Sequence, residues 1–270
     1  DNNGRRSSNG SGAPQVAFDE RLKRRMLRAV GGMLRSEEAR RGIDAQSIAS
    51  VLWGHARLGY LNPALFEDLL QQAAERGLDR TGLNHAAIMW SYGSLEAMPD
   101  LDAWEAIAAS FFDGPSAAIS EANAQSICSV LWSHAKLDLR FPEERGGRRF
   151  ARVCERLTDA RTLGKAGGFA CQNMANVLWS CAVLDRFDPL LAAVALTVLL
   201  RDAGAPASPQ QVPELTQVAH FFVAMLQRDV PLEAMVAEAE AAAAIVGEAI
   251  AGGLDLGAAG SGGAIAPISL

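Results

Sequence analysis

One short phrase is written several times along this chain, and it restricts the fold more than any other feature. It reads Ser50-Val51-Leu52-Trp53-Gly54-His55-Ala56, then Ser129-Val130-Leu131-Trp132-Ser133-His134-Ala135, then Asn176-Val177-Leu178-Trp179-Ser180-Cys181-Ala182. A looser copy is Ala87-Ile88-Met89-Trp90-Ser91-Tyr92-Gly93, and the four tryptophans are 37, 42 and 47 residues apart. Self-similarity at that period marks stacked helical units, none of which buries its apolar face alone. A stack of this kind builds a long surface from equivalent positions, which suits extended partners better than a single catalytic pocket.

The punctuation between copies predicts helix pairs. The first runs from Asp44, an N-cap residue, to Leu58, turns at Gly59 and Asn62-Pro63, and returns over 64–76. The second has Thr81 as a cap candidate, a helix to Leu95, a break at Met98-Pro99-Asp100 and a return over 101–112. The third begins near Ser120 or Asn123, ends near Leu137, and returns over 148–163 after a longer connection containing Pro142 and Gly146-Gly147. The fourth covers 171–184 and returns from Asp188-Pro189 to Asp202. After a linker punctuated by Pro206, Pro209 and Pro213 comes a degenerate fifth pair, 214–226 and 232–251, in which Phe221 falls 42 residues after Trp179.

Ala, Leu and Val dominate an apolar fraction of 49%, aromatics make up 6%, and no sustained alternation of β-branched residues occurs, so helices are favoured over strands. The expectation is an all-α protein, a right-handed α-solenoid of about five helix-turn-helix repeats over 43–251. Residues 1–16, rich in Asn, Ser, Gly and Arg, and 252–270, rich in Gly and Ala, read as disordered flanks. Residues 17–42 read as a basic helix, compatible with the second half of an earlier repeat.

Several chemistries find no support in the residues. Cys128, Cys154, Cys171 and Cys181 form no CxxC pair and read as reduced core thiols, with no metal site. Phosphate-binding loops, dinucleotide fingerprints, HExxH and GxSxG are missing, so neither an enzyme nor a cofactor is expected. No apolar run is long enough for a membrane span. A net charge of −6 counts against a uniformly basic nucleic-acid binder, although a local basic stripe remains open.

On a helical wheel Ala45, Ile48, Ala49, Leu52, Trp53 and Ala56 share a broad apolar stripe. This predicts Trp53 packed between the two helices of its own repeat and the next. His55 and His134 sit at one repeat position and read as structural. The polar stripe carries the candidate site. It holds Gln46, Ser47, Ser50 and Arg57 in the first copy, Asn84 and Ser91 in the second, Gln125, Ser126, Ser129 and Lys136 in the third, and Gln172, Asn173 and Asn176 in the fourth. Amides and hydroxyls both donate and accept, which suits reading unpaired base edges, and some helical arrays read one base per repeat. The fifth copy, with Glu214, Leu215, Val218, Phe222 and Met225 at these places, departs from the pattern as an end unit does.

The phrase Gln172-Asn173-Met174-Ala175-Asn176-Val177-Leu178-Trp179-Ser180-Cys181-Ala182-Val183-Leu184 resembles the octotricopeptide repeat, whose first helix has the form Gln-x-x-Ala-Asn-x-Leu-Trp-(Ala/Ser)-x-Ala-x-Leu. The helical regions of FAST-kinase-like and RAP-associated proteins are similar. The resemblance spans roughly Asp44 to Leu226. It implies an RNA-binding factor of a chloroplast or mitochondrion acting in RNA processing, stability or translation. The polar stripe would then contact a single-stranded organellar transcript, with other proteins of an RNA-processing complex as further partners. The alternative is a protein-interaction scaffold without direct RNA contact, which the net acidity suits.

Overall fold

A computed structural model describes residues 20–34, 36–164, 170–201 and 212–256. The flank 1–16, the linker around Pro206 and Pro209, and the tail beyond Leu256 lie outside the described residues. Among those described, helices account for nearly all regular structure and no strand occurs. The chain divides into two compact units, residues 1–41 and 42–270.

In the first unit the expected basic helix is interrupted. Helix α1 covers Glu20–Leu34, and α2, Glu37–Gly42, begins after a turn in which the Ser36 amide donates to the Met33 carbonyl at 3.1 Å. Glu37 and Glu38 occupy the first turn of α2, where negative charge favours a new helix start.

The second unit is an all-α repeat array. Its first helices are α3 (Ala45–Arg57), α5 (Leu83–Leu95), α7 (Ala124–Lys136), α10 (Cys171–Val183) and α12 (Val212–Gln227). Their partners are α4 (Pro63–Arg76), α6 (Leu101–Phe112), α8 (Glu143–Leu157) with the short α9 (Ala160–Leu163), α11 (Pro189–Arg201), and α13 (Leu232–Ala237) with α14 (Ala239–Leu256). Helices α3, α5, α7, α10 and α12 pack side by side in that order, while the return helices form the other layer.

The starts follow local chemistry. Asp44, Asn62, Asp100 and Asn123 each accept an amide from three residues on, which satisfies one of the donors a helix leaves unpaired. Copy two differs from expectation. Gly82, not Thr81, occupies the cap, at φ +77. A Cβ there would lie 2.9 Å from the Phe111 ring and 3.0 Å from Ala122 Cβ, so no larger residue fits. The Asp79 carboxylate, one turn earlier, takes the Asn84 amide instead at 3.2 Å.

Two further boundaries are corrected. The third return helix starts at Glu143, not Arg148, and ends at Leu157. Pro142 precedes a first turn bearing Glu143 and Glu144, a favourable start that carries the helix through Gly146 and Gly147. Asp159 then caps the separate α9. In the fifth pair the return element breaks at Glu238 and continues past 251 to Leu256.

Two ladders tie the copies together. The four repeat tryptophans form one seam: Trp90 and Trp132 are buried with Ala56, and Trp53, Leu95 and Trp179 pack against them. These residues all belong to first-layer helices, so the indoles stack copy against copy and not, as expected from sequence, between the two helices of a pair. The residue two places after each tryptophan points the other way and is buried in copies one to four: His55, Tyr92, His134 and Cys181. The first three join a ring series that crosses between layers. His55 meets Phe66, Phe66 meets Tyr92, Tyr92 meets Trp104, and Trp104 meets His134, with centroids 5.2–6.1 Å apart. In this series the Tyr92 hydroxyl donates to the Phe66 carbonyl at 2.7 Å, Trp104 Nε1–H donates to His134 Nε2 at 3.3 Å, and His55 Nε2 is buried without a partner. The opposite ring nitrogen of His55 and of His134 donates to the carbonyl four residues back, Val51 and Val130. Burial, with the nearby Arg149 charge adding to it, pulls His134 down to about 4, so it is neutral near pH 7 and acts as a hydrogen-bonded spacer.

Helix α8 adds charged contacts to a buried apolar face of Phe150, Val153 and Leu157. Arg149 has no exposed surface and spans both Glu105, at 2.6 and 3.0 Å, and Asp113, at 2.6 and 3.1 Å. Arg152 binds the carbonyls of Phe112 and Gly114, and Arg156 those of Ile119 and Ala122. One arginine face thus satisfies the C-terminal end of α6 and the turn after it, where cations are favoured.

Candidate nucleic-acid interface

The concave surface of α3, α5 and α7 forms a groove of about 680 Å³. Six of the sequence-predicted residues line it: Gln46 and Ser50 from α3, Asn84 from α5, and Gln125, Ser126 and Ser129 from α7. They converge because each occupies an equivalent place on its helix and the helices are stacked in register. Gln46 and Gln125 both lie two turns before the tryptophan, and Asn84 lies one residue further along its copy. Ser126 is nearly buried, with its amide held by the Asn123 cap at 2.8 Å.

Trp53 also lines the groove and is half-buried. The wheel reading placed it wholly in the core, opposite the polar stripe. Seven residues at about 100° each bring Gln46 to within about 20° of Trp53, so the indole stands at the border between core and groove. That spacing was in the sequence. The Arg57 guanidinium lies 5.8 Å from the Trp53 ring centroid, a cation–π arrangement. Ala49, Leu83, Ala86 and Ala87 supply apolar wall, and Asp79 and Thr81 supply polar wall before α5.

Other predicted residues stand elsewhere. Ser91 is fully buried and donates to the Ala87 carbonyl at 2.6 Å, so it does not reach the groove. Ser133 and Ser180, at the same repeat position, donate in the same way to Ser129 and Asn176. A hydroxyl at that position serves its own helix. Lys136 pairs with Glu96 of the preceding copy at 2.7 Å. Ser47 is exposed outside the groove, its amide bonded to the Asp44 carboxylate at 2.7 Å. Gln172 and Asn173 are half-exposed on α10, beyond the groove's α7 edge. Asn176 Oδ1 accepts from Gln217 of α12 at 2.8 Å, which engages it in packing the fifth copy.

The charge in the groove is low. Among the lining residues no lysine or arginine occurs, and Asp79 supplies the one formal charge. Its carboxylate already accepts from the Thr81 and Asn84 amides and from the Thr81 hydroxyl. Beneath it His85 is drawn down to about 4 by burial against the pull of Asp79, so it adds no positive charge near neutral pH. Burial pushes the Cys128 and Cys154 thiols up to about 12 and raises Cys181 further, so these three stay protonated near pH 7. Among the described residues no three His, Cys, Asp or Glu side chains converge to hold a metal, and no helix is long and apolar enough to cross a membrane.

Compared with models of known protein families, with curated proteins and with solved structures, the chain matches none.

Proposed function

We propose that this chain is an RNA-binding helical-repeat protein whose α3–α5–α7 groove takes a short run of single-stranded RNA. The observation that carries the reading is the convergence of three amides, Gln46, Asn84 and Gln125, beside a half-exposed indole in one groove. Amide side chains pair with base edges, and aromatic rings stack on unpaired bases with about 1–3 kcal/mol per base. The groove faces bases, not phosphates: its lining carries no lysine or arginine, and the Arg57 guanidinium stands over the indole at its edge. The resemblance of the repeat phrase to the octotricopeptide repeat supports the same reading. It extends the proposal to processing, stabilisation or translation of a transcript in a chloroplast or mitochondrion.

The test is RNA affinity of the triple variant Gln46→Ala, Asn84→Ala, Gln125→Ala at fixed salt. Loss of three base-edge contacts weakens binding at least tenfold, roughly 1.4 kcal/mol or more, since one good bidentate pair alone discriminates by about 1–3 kcal/mol. Unchanged affinity in a folded variant removes the groove as the RNA site.

The cation-free lining with Asp79 also favours a second reading, a scaffold that takes an extended basic peptide in the same groove. Under it, Asp79→Asn weakens peptide capture, which survives nuclease treatment.

A further inference from the structure

A second cavity, of about 510 Å³, lies on the return-helix layer between α8 and the end of α6. Arg145, Arg148 and Arg152 line it from α8, and Asp113 and Gly114 line it from the turn that follows α6. Steps of three and four residues put the three arginines on one face of α8. A cavity of this size holds a small molecule. None of these residues lines the α3–α5–α7 groove.

The charges in this cavity do not cancel. Asp113 is the one acid in the lining, and Arg149 takes both its oxygens, at 3.1 and 2.6 Å. Arg145 shares that cluster, 3.6 Å from Asp113 and 3.5 Å from Glu105. Arg152 directs its donors to neutral oxygens, the Phe112 and Gly114 carbonyls and the Ser120 hydroxyl. Those contacts fix the guanidinium and leave its charge uncompensated. Arg148 is exposed, and among the described residues it has no hydrogen-bond or ion-pair partner. It takes no part in the docking of α8, which Arg149, Arg152 and Arg156 carry. The facing turn is open: a Cβ on Gly114 would meet nothing within 4 Å.

We propose that this cavity is an oxyanion site that holds a phosphate group between Arg148 and Arg152. A guanidinium presents paired N–H donors that match two phosphate oxygens, and a doubly charged phosphate offsets both uncompensated cations. Inorganic phosphate and the phosphate end of a small ester present the same oxygens to the two arginines. The inference is independent of what the groove binds.

Magnetic-resonance titration of the isotope-labelled full chain tests it, with inorganic phosphate and, separately, methyl phosphate at mildly alkaline pH. Sodium chloride holds the ionic strength constant. Amide signals of residues 109–114 and 145–152 are expected to shift and saturate. Saturation by both compounds identifies an ester site, and saturation by inorganic phosphate alone identifies a site for the free ion. Arg148→Gln weakens binding about tenfold or more, since hydrogen bonds to charged groups are the stronger kind. Arg140→Gln removes the same charge from an exposed position outside the lining and leaves binding unchanged. Circular dichroism checks that both variants fold. Shifts that never saturate, shifts centred elsewhere, or equal losses in the two variants overturn the proposal.

Discussion

Trp132→Ala lowers unfolding free energy by about 3–5 kcal/mol, the range for removing a large buried aromatic side chain. The indole is 6% exposed and stands in the middle of the tryptophan seam. Its ring lies where a Cβ on Gly93 would come within 3.0 Å of Trp132 Cζ3, so the small residue on α5 and the large one on α7 are fitted to each other. Truncation opens a cavity on α7 that the flanking α5 and α10 cannot close by side-chain motion alone. Because contacts in an array run to nearest neighbours, the loss also splits the transition: copies one and two melt apart from copies four and five. Trp132→Phe keeps a ring in the seam and loses less. Urea unfolding followed by circular dichroism checks both variants, and a loss under 1 kcal/mol for Trp132→Ala contradicts the packing described.

Arg149→Ala is the second large effect, about 3 kcal/mol. Removing one member of a buried ion pair typically costs about 3–5 kcal/mol; the lower end applies because Glu105 and Asp113 are about one-third exposed and water can reach them. Arg145, 3.5 Å from Glu105 and 3.6 Å from Asp113, remains nearby as a partial substitute. Arg149→Lys also loses stability, since one ammonium cannot bridge two carboxylates as the guanidinium fork does. The double change Glu105→Gln, Asp113→Asn in the Arg149→Ala background recovers part of the loss by removing the uncompensated charges. Thermal unfolding of the three variants reports this order; equal melting temperatures for Arg149→Ala and the parent chain contradict the clip.

The repeated phrase carried most of the architecture, for a local reason. Leu52, Met89, Leu131 and Leu178, each preceding its tryptophan, are all buried, so copies that read alike pack alike. Caps such as Asp44 and Asn123 were legible because their chemistry is contained within four residues. The boundary at Glu143 was not, since Gly146-Gly147 signals a break locally, whereas in the fold Gly146 lets the helix pass close to Phe141 and Arg186, where a Cβ would not fit. The Arg149 clip joins residues 36 and 44 positions apart, a pairing without periodicity to announce it. Within the site, the amides that share a groove were visible as a column. The place of Trp53 on its edge followed from the same wheel but was masked by grouping all apolar residues into one stripe. Ser91 was misplaced because a serine one residue after the tryptophan looks polar in sequence while its hydroxyl is spent on its own helix.

The central claim is that equivalent polar positions of successive copies form one RNA-contacting groove. Crosslinking a 4-thiouridine-substituted single-stranded RNA to the full chain, with the attached peptides identified by mass spectrometry, tests it most directly. Crosslinks are expected within 45–57, 83–95 and 124–136, and their loss on substituting Gln46, Asn84 and Gln125 together. Crosslinks confined to the basic helix 20–34, or to the return helices, would contradict the account.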